Sequence, residues 1–515
     1  MRVALALLIL AILAFAPQFD YPEWRGTEAR RVQIAFEMVE TGDYLTPTLW
    51  DEPTLTKPPF YYWVLAGSIH LFGVESWSMR LPSVLGFWLL SLVGFAYLRR
   101  WFDTSTAWLG AAGILLSPVL MFDGPFAEID PLFAALTALS VLCLTDGVYE
   151  SRRSRLLLAG VLGGVAMMTK GPPYLMFLLG PLVIWWRFNR LRGIAWYLTP
   201  VVLPIAIYTL VINVTVPVDD VVNVAVEESI GRMAFWTADA LKGIPQHLAW
   251  GIGVLGLPFA PWLAVWFRAT RGQQSTGAIR QNFLVWGAIG SVLLLCFSQT
   301  RSPRYMQPAV PLAIIGLAPL VAASLRTTAS VPRWAYRALL GFGAFAGVAV
   351  AALAWSPFPY PGTTFLAVCA LACVAFIARS QRHLVAYCLV VPLAIAWSAF
   401  PDRVEYFSKA SEFAPATADV LARELASRGI DRVGTYGQVD SGVLVHVRES
   451  IGSLRVDGDP EMRREPVEDW ILVQDRGYVK YPERRESESR VVPGYREVVR
   501  VQLGEKKSIS LRERM

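Results

Sequence analysis

Ionisable side chains gather in the short polar segments that separate long apolar runs of this chain. They are Glu28, Lys57, Glu128, Asp130, Lys170, Arg232, Arg301 and Arg304, with Tyr305 next to the last. Charges close to a membrane core are expensive to keep, so a group of them on one side is a candidate functional site. Cations can hold a phosphate and stabilise the charge of a leaving group, and a carboxylate can take a proton from a hydroxyl. The residue types therefore indicate transfer of a group from a lipid phosphate.

The elements that must position these residues follow from an uneven distribution of charge. Of the 515 residues, 54% are hydrophobic and only 17% are charged, against about 25% charged in soluble domains. Runs such as 158–168, 197–211 and 312–323 are almost free of charge, whereas 402–515 is as charged as a soluble protein. We therefore predict a membrane domain over residues 1–400 and a soluble domain over residues 401–515.

The apolar runs fit membrane-spanning helices, each of which needs roughly 20 mostly apolar residues. About thirteen candidates match that template, centred near residues 10, 88, 113, 138, 162, 180, 203, 257, 288, 315, 344, 370 and 391. The first resembles a signal peptide, but no small-residue cleavage site follows it, so we expect a retained helix. The predicted fold class is an all-α polytopic membrane protein with a C-terminal α/β domain.

Positive charge alternates between successive loops, which sets the orientation. With Arg2 inside, every second loop is basic, through clusters at 99–100, 152–155, 187–192, 268–280, 326–337 and 379–382. The outer loops are then 17–77, 122–129, 170–173, 213–246, 299–304 and 357–364. An odd number of spans places the tail outside, which predicts a plasma (inner) membrane protein with a cytoplasmic N-terminus and an extracytoplasmic C-terminal domain. This topology signal accounts for the net charge of +6, so no nucleic acid partner is expected.

The first outer loop, 17–77, contains two predicted surface segments. In the first, the apolar residues Val32, Ala35, Phe36 and Val39 share one helical face, and the polar residues Arg30, Gln33, Glu37 and Glu40 share the other. This pattern is typical of an amphipathic helix at a membrane interface. The second segment follows Pro58 and has an aromatic belt at 60–63. Together they predict a lid on the outer leaflet.

The tail alternates two kinds of pattern. Strand-like runs occur at 432–436, 470–474 and 497–503, and helical patterns at 414–428 and 441–449. This alternation predicts a small α/β domain. The five cysteines all lie in apolar runs outside the tail, so neither a disulfide framework nor a cysteine metal site is expected.

Short motifs also follow one another in order along the membrane domain. In the first outer loop they are Thr27-Glu28-Ala29-Arg30, Glu37-Met38, Gly42-Asp43-Tyr44, Thr56-Lys57-Pro58-Pro59 and Tyr62-Trp63, followed by Arg80-Leu81-Pro82. Further along they are Glu128-Ile129-Asp130-Pro131, Thr169-Lys170-Gly171, the 228–232 segment and Arg304-Tyr305 ahead of Pro308. This ordered set resembles the bacterial aminoarabinose transferase and protein O-mannosyltransferase superfamily, which are GT-C glycosyltransferases. The outer C-terminal domain also fits the layout of the aminoarabinose transferases.

The resemblance implies a specific reaction. It is the inverting transfer of a monosaccharide from a polyprenyl (undecaprenyl) phosphate donor, with no nucleotide sugar. The acceptor would be lipid A, a cell envelope glycan or a protein at the outer face. The resemblance assigns the lipid phosphate of the donor to Lys57, Arg232, Arg304 and Tyr305, and gives supporting positions to Asp130 and Lys170.

Thr27 departs from the family pattern, which has an acidic pair at the start of the first loop. It lies thirty positions before Lys57, the spacing that the family keeps between its usual catalytic aspartate and its phosphate-binding lysine. A threonine hydroxyl cannot act as a base at neutral pH, so Glu28 is the predicted general base. Two alternatives stay open: Glu28 begins the amphipathic helix, where an acid favours the helix dipole, or the chain has a different activity or none.

The other candidates have structural interpretations as well. Lys57 can extend to lipid headgroups, Asp130 can cap a span or pair with Lys170, and Arg232 can be a loop charge. Arg304 and Tyr305 can be interface anchors. Many relatives have glutamate at the position of Thr56, and the four histidines do not cluster. We therefore predict no metal and no cofactor.

Two further functions compete with the transferase. A catalytically silent relative would bind polyprenyl phosphate, or a partner protein through its outer domain. A secondary transporter would show paired repeats with interrupted helices and ionisable groups near the bilayer midplane. The charges of this chain gather at one face instead.

Overall fold

The computed structural model describes residues 1–19, 27–49, 52–117, 120, 124–189, 191–219, 276–296, 303–326, 415–436, 455–459, 469–475, 495–503 and 507–515, with isolated positions at 221, 223, 226, 244, 263, 266, 443–444 and 447. Arg232, Arg301 and the predicted span centres near 257, 344, 370 and 391 lie outside the described residues. The chain divides into two compact units. The first comprises Met1–Phe19, Leu55–Tyr61 and Arg80–Phe400, and the second comprises Asp20–Thr54, Tyr62–Met79 and Pro401–Met515.

The described part of the chain before residue 400 is mainly helical. Its helices are α1 (Arg2–Phe19), α2 (Glu28–Thr41), α3 (Phe60–Phe72), α4 (Ser76–Trp101), α5 (Thr104–Leu115), α6 (Ile129–Tyr149), α7 (Arg153–Lys170), α8 (Pro173–Asn189), α9 (Ile194–Ile212), α10 (Thr276–Leu295) and α11 (Ala309–Arg326). Nine of the thirteen predicted span centres fall inside helices of this described part. The apolar runs thus form helices, as their length and composition favour.

Three helices among the described residues are long and apolar enough to cross a membrane: α4, α6 and α9. They differ in what surrounds them. The apolar window of α6 is 78% buried inside the protein, whereas that of α9 is only 11% buried. Because α9 leaves Leu203, Ile207 and Leu210 exposed, its outer surface suits a hydrocarbon solvent better than water.

Glycines allow α7 and α9 to pack closely. A Cβ placed on Gly160 or Gly164 would clash with the carbonyl oxygen of Tyr197 or Pro200, respectively. Small residues spaced four apart let helix backbones approach in this way, as in membrane helix pairs generally. Next to this contact, the Tyr174 hydroxyl is hydrogen-bonded to Ser140 Oγ at 2.6 Å and to the Tyr197 hydroxyl at 2.9 Å. These bonds satisfy polar groups that lie inside the apolar core.

A charged cluster lies at the C-terminal end of α6. Arg280 is 2% exposed and pairs with Asp146, and its guanidinium carbon lies 3.6 Å from the ring centroid of Trp101. Arg100 Nη2 lies 2.8 Å from Glu150 Oε1. The cluster therefore joins α4, α6 and α10 at the end that the sequence predicts to face the cytoplasm.

The described part of the first outer loop contains the two predicted helices, α2 and α3, and a short antiparallel pair, β1 (Thr48–Leu49) with β2 (Glu52–Pro53). The polar face predicted for α2 is partly wrong. Gln33 and Glu37 are 2% and 3% exposed, because Gln33 Nε2 donates to Glu37 Oε1 at 2.7 Å and Thr48 Oγ1 donates to Glu37 Oε2 at 2.6 Å. The predicted aromatic belt is wrong for Tyr61 and Tyr62, which are fully buried, whereas Trp63 is 37% exposed.

In the part of the tail that the structure describes, five strands form one sheet and a helix packs against it. The strands are β3 (Arg432–Tyr436), β4 (Arg455–Asp459), β5 (Trp470–Asp475), β6 (Tyr495–Leu503) and β7 (Lys507–Arg514), in the order β4-β3-β5-β7-β6. β3 is parallel to β4 and β5, and β7 is antiparallel to β5 and β6. Helix α12 (Pro415–Ser427) buries Leu421 and Leu425 in the same apolar cluster as Val433 and Leu472. The α/β pattern and three of the strands match the prediction, and β4 and β7 are additional.

Candidate functional site

The site in the first unit is built from the N-terminal end of α6. Glu128 is the N-cap residue, with an extended backbone (φ −111°, ψ 154°), and Asp130 lies in the first helical turn. Both carboxylates therefore lie at the positive end of the helix dipole, where negative charge is stabilising. Pro131 is accommodated because the first turn has no use for its missing N–H.

Lys170 is the last residue of α7 and forms an ion pair with Asp130. The side chains are only 8% and 9% exposed, respectively. Gly171 follows with φ +84°, a conformation that glycine adopts without a steric penalty, and it ends the helix at this point. The pair that the sequence offered as one role of Asp130 is thus present, and it ties α6 to α7.

Arg304 comes from a 3₁₀ turn, Pro303–Met306, which precedes α11. Its Nη1 lies 3.5 Å from Glu128 Oε1, and its Nε lies 3.7 Å from Asp130 Oδ2. Partial burial on its own lowers the pKa of Arg304, but the charges of Asp130 and Glu128 outweigh it and raise the pKa above the ordinary value. The guanidinium is therefore a permanent cation between two carboxylates.

Tyr305 completes the cluster from the same 3₁₀ turn. Lys170 Nζ lies 4.2 Å from the centroid of its ring, within the range of a cation–π contact. The guanidinium carbon of Arg304 lies 5.8 Å from the same ring centroid. Three elements, α6, α7 and the 3₁₀ turn, thus bring Asp130, Lys170, Arg304 and Tyr305 together.

Lys57 lies on the loop before α3, in the same unit. Its Nζ donates to the carbonyl of Thr56 at 2.8 Å. The next residue, Pro58, has its Cγ 3.8 Å from where a Cβ on Gly171 would be. Pro58, which follows Lys57, therefore lies next to Gly171, which follows Lys170. The two predicted cations belong to neighbouring segments of the chain.

Thr27 and Glu28 belong to the second unit. Thr27 occupies the N-cap position of α2 but makes no side-chain capping bond, and Glu28 is the first helical residue, with 0% of its surface exposed. The roles of Glu28 as base and of Arg232 as phosphate ligand stay predictions.

Glu128 is the member of the site to which the sequence assigned no role. A clue in the sequence was that Glu128 lies only two residues before Asp130. Two carboxylates at the start of one helix can both face the same cation. Phe133, one turn after Asp130, was also missed, and its ring centroid lies 5.3 Å from Lys170 Nζ. Among the described residues no group of three His, Cys, Asp or Glu side chains could hold a metal ion, and the predicted absence of a metal stays a prediction.

The arrangement has a clear chemical character. Two cations and a phenol at the ends of apolar helices can bind the oxygens of a phosphate, and the carboxylates hold those cations in place. With the apolar helices of the described part, this arrangement fits the polytopic membrane class that the sequence predicted.

Comparison with known proteins agrees with this class. The family model of dolichyl-phosphate-mannose-protein mannosyltransferases matches residues 56–217. The crystal structure of ArnT from Cupriavidus metallidurans bound to undecaprenyl phosphate has the same fold, with a TM-score of 0.70 over 99% of this chain and 97% of that chain, at 18% identity. The structure of the same enzyme in the apo state matches with a TM-score of 0.68.

Relatives in sequence are similar to part of the chain. An undecaprenyl phosphate-alpha-4-amino-4-deoxy-L-arabinose arabinosyl transferase of Pseudomonas aeruginosa is 27% identical over 61% of this chain and 58% of its own length. A second such transferase, from Pseudomonas fluorescens, is 31% identical over 36% of this chain and 34% of its own length. The match thus spans under two thirds of these relatives. The resemblance to the aminoarabinose transferases and O-mannosyltransferases predicted from the motifs is confirmed.

Proposed function

We propose that this protein is an inverting glycosyltransferase that moves a monosaccharide from a polyprenyl phosphate to an acceptor at the outer face of the plasma membrane. The observation that carries the proposal is the cluster of Asp130, Lys170, Arg304 and Tyr305 at the helix ends. It occurs in a chain that shares its fold with an enzyme whose crystal structure contains bound undecaprenyl phosphate.

The proposed reaction uses the residues of the chain alone, without a metal or cofactor. The acceptor oxygen attacks the anomeric carbon, the bond from that carbon to the phosphate oxygen breaks, and polyprenyl phosphate leaves. Glu28 takes the proton of the acceptor hydroxyl. Lys57, Arg232, Arg304 and Tyr305 hold the phosphate and stabilise its growing charge.

The wider setting is part of the same proposal. The chain crosses the membrane about thirteen times, with a cytoplasmic N-terminus and an extracytoplasmic tail. The acceptor is a lipid such as lipid A, a cell envelope glycan or a protein. The names of the relatives support aminoarabinose or a similar sugar as the transferred group.

Purified protein in lipid nanodiscs, supplied with radiolabelled polyprenyl phosphate sugars and membrane extract, tests this function. We expect the wild type to move label to an acceptor, and Glu28→Gln and Lys57→Ala to abolish the transfer. Glu424→Gln is the matched control, because Glu424 pairs only at the surface of α12, with Arg428 at 3.4 Å. If Glu28→Gln keeps full activity, the assignment of the base is wrong.

A catalytically silent, polyprenyl-phosphate-binding protein is the second candidate, and Thr27 favours it. The same experiment separates the two, because a silent protein would bind the carrier lipid and leave every labelled donor intact.

A further inference from the structure

Glu128 contacts the catalytic cluster but has no part in the reaction described above. Its Oε1 lies 3.5 Å from Arg304 Nη1. The Arg304 side chain is 36% exposed, whereas the side chains of Lys170 and Asp130 are only 8% and 9% exposed. Arg304 is therefore the cation of this cluster that a ligand reaches most easily.

The contacts of Arg304 with its carboxylates are long. At 3.5 and 3.7 Å they exceed the range of about 2.7–2.9 Å for a well-formed bond between a cationic N–H and a carboxylate. Arg304 is thus held by charge more than by closely fitted hydrogen bonds. Such a guanidinium can exchange one anion for another with little loss of free energy.

Glu128 and Asp130 face Lys170 and Arg304 and offset part of their positive charge. An arriving phosphate is attracted less strongly by cations that already face carboxylates. It gains much more if it replaces a carboxylate on Arg304. Asp130 also pairs with the buried Lys170, which would lose its carboxylate if Asp130 were replaced, whereas the contact of Glu128 is with the more exposed cation, Arg304.

We propose that Glu128 is a positioning residue that competes with the lipid phosphate for Arg304 and thereby speeds release of the spent polyprenyl phosphate. This inference rests on the proposed function. The phosphodiester of the donor carries one negative charge, and the phosphomonoester left after transfer carries about 1.5 to 2 at neutral pH. A cationic site therefore binds its product more tightly than its substrate. Glu128 weakens the binding of the product because its carboxylate pairs with Arg304 again when the phosphate leaves.

Glu128→Gln tests the proposal in the full-length protein in nanodiscs, because glutamine keeps the shape of the side chain and removes its charge. We expect the Kd for undecaprenyl phosphate to fall about tenfold, as the loss of one charge next to a half-exposed cation implies. The rate of a single turnover should stay within about twofold, since a residue outside the reacting atoms has little influence on it. The steady-state kcat should fall, because product release becomes limiting.

Two further variants serve as controls. Glu128→Asp keeps the charge and should bind the carrier like the wild type. Glu150→Gln removes the same charge at the opposite end of α6, where Glu150 pairs with Arg100, and should leave the carrier Kd unchanged.

A purely structural role of Glu128 gives the opposite pattern. Glu128→Gln would then bind the carrier more weakly or equally, and single turnover would slow together with kcat, which overturns the proposal. A wild type that binds the carrier but transfers no sugar would refute the proposed function. The carrier Kd of the Glu128 variants would still decide whether Glu128 competes for Arg304.

Discussion

At the scale of single residues, the buried pair of Asp130 and Lys170 is the most constrained feature of the site. Taking two charges out of water is expensive, and the pair repays that cost only while both partners are present. Lys170 also contacts the ring of Tyr305. Removing the Lys170 ammonium group would therefore break the ion pair and also remove a contact of the Tyr305 ring.

Lys170→Met should therefore lower the free energy of unfolding by about 3 kcal/mol, the low end for a broken buried pair, because Arg304 still faces Asp130. The double variant Asp130→Leu with Lys170→Met should recover most of this loss, since no buried charge is left without a partner. Thermal unfolding of the purified variants in one detergent measures both effects. A single variant as stable as the wild type would contradict the assignment of this pair as a tie between α6 and α7.

The sequence identified these residues as candidates, and of their contacts it offered only the pair of Asp130 with Lys170. Asp130, Lys170, Arg304 and Tyr305 were identifiable because ionisable groups are rare beside apolar runs. The assignment of Glu128 to Arg304 was not, because it depends on the 3₁₀ turn at Pro303–Met306, which joins parts of the chain far apart in sequence. The burial of Gln33 and Glu37 was missed for a related reason, since their partner Thr48 lies in another element.

At the scale of elements, the contact between α7 and α9 depends on the absence of side chains. Gly164 faces the carbonyl of Pro200 so closely that any Cβ must push the helices apart. Glycine is otherwise a poor helix residue, by about 1 kcal/mol relative to alanine. Its presence here is explained by packing.

Gly164→Ala should lower the unfolding temperature, because the added methyl overpacks the contact at a cost of about 1 to 3 kcal/mol. Gly67→Ala is the matched control, since Gly67 lies within α3 and a Cβ there meets nothing within 4 Å. That variant should gain up to about 1 kcal/mol from helix propensity. If both substitutions changed the unfolding temperature in the same direction, the close approach of α7 and α9 would not explain why position 164 is a glycine.

Helices were predicted from the sequence more accurately than strands. Long apolar runs gave helices reliably, because length and composition act together. Strand β4, Arg455–Asp459, has no apolar alternation, and it forms because β3 offers it a parallel partner. Strand β7 was missed although Ile509 and Leu511 alternate inward, since only these two positions are apolar and charged residues stand at both ends of the strand.

At the scale of the whole molecule, the alternation of basic loops predicts which parts of the chain share a side of the membrane. Ser154, within the basic cluster 152–155, is predicted inside, and Ser427, in α12 of the tail, is predicted outside. We expect a membrane-impermeant maleimide to label Ser427→Cys in intact cells, and Ser154→Cys only after the membrane is opened. Labelling of both in intact cells would refute the predicted orientation.

Helix α6 carries a charged cluster at each end, and this fixes its position along the membrane normal. Asp130 and Asp146 lie about 24 Å apart along the helix axis, close to the thickness of a bilayer core of about 30 Å. Each is tied to other helices, through Lys170 at one end and Arg280 at the other. A helix without such ties can tilt or slide when the bilayer becomes thicker or thinner. Here the helix is a spacer of set length inside the protein, since its apolar window is 78% buried, and the ties at both ends oppose such sliding.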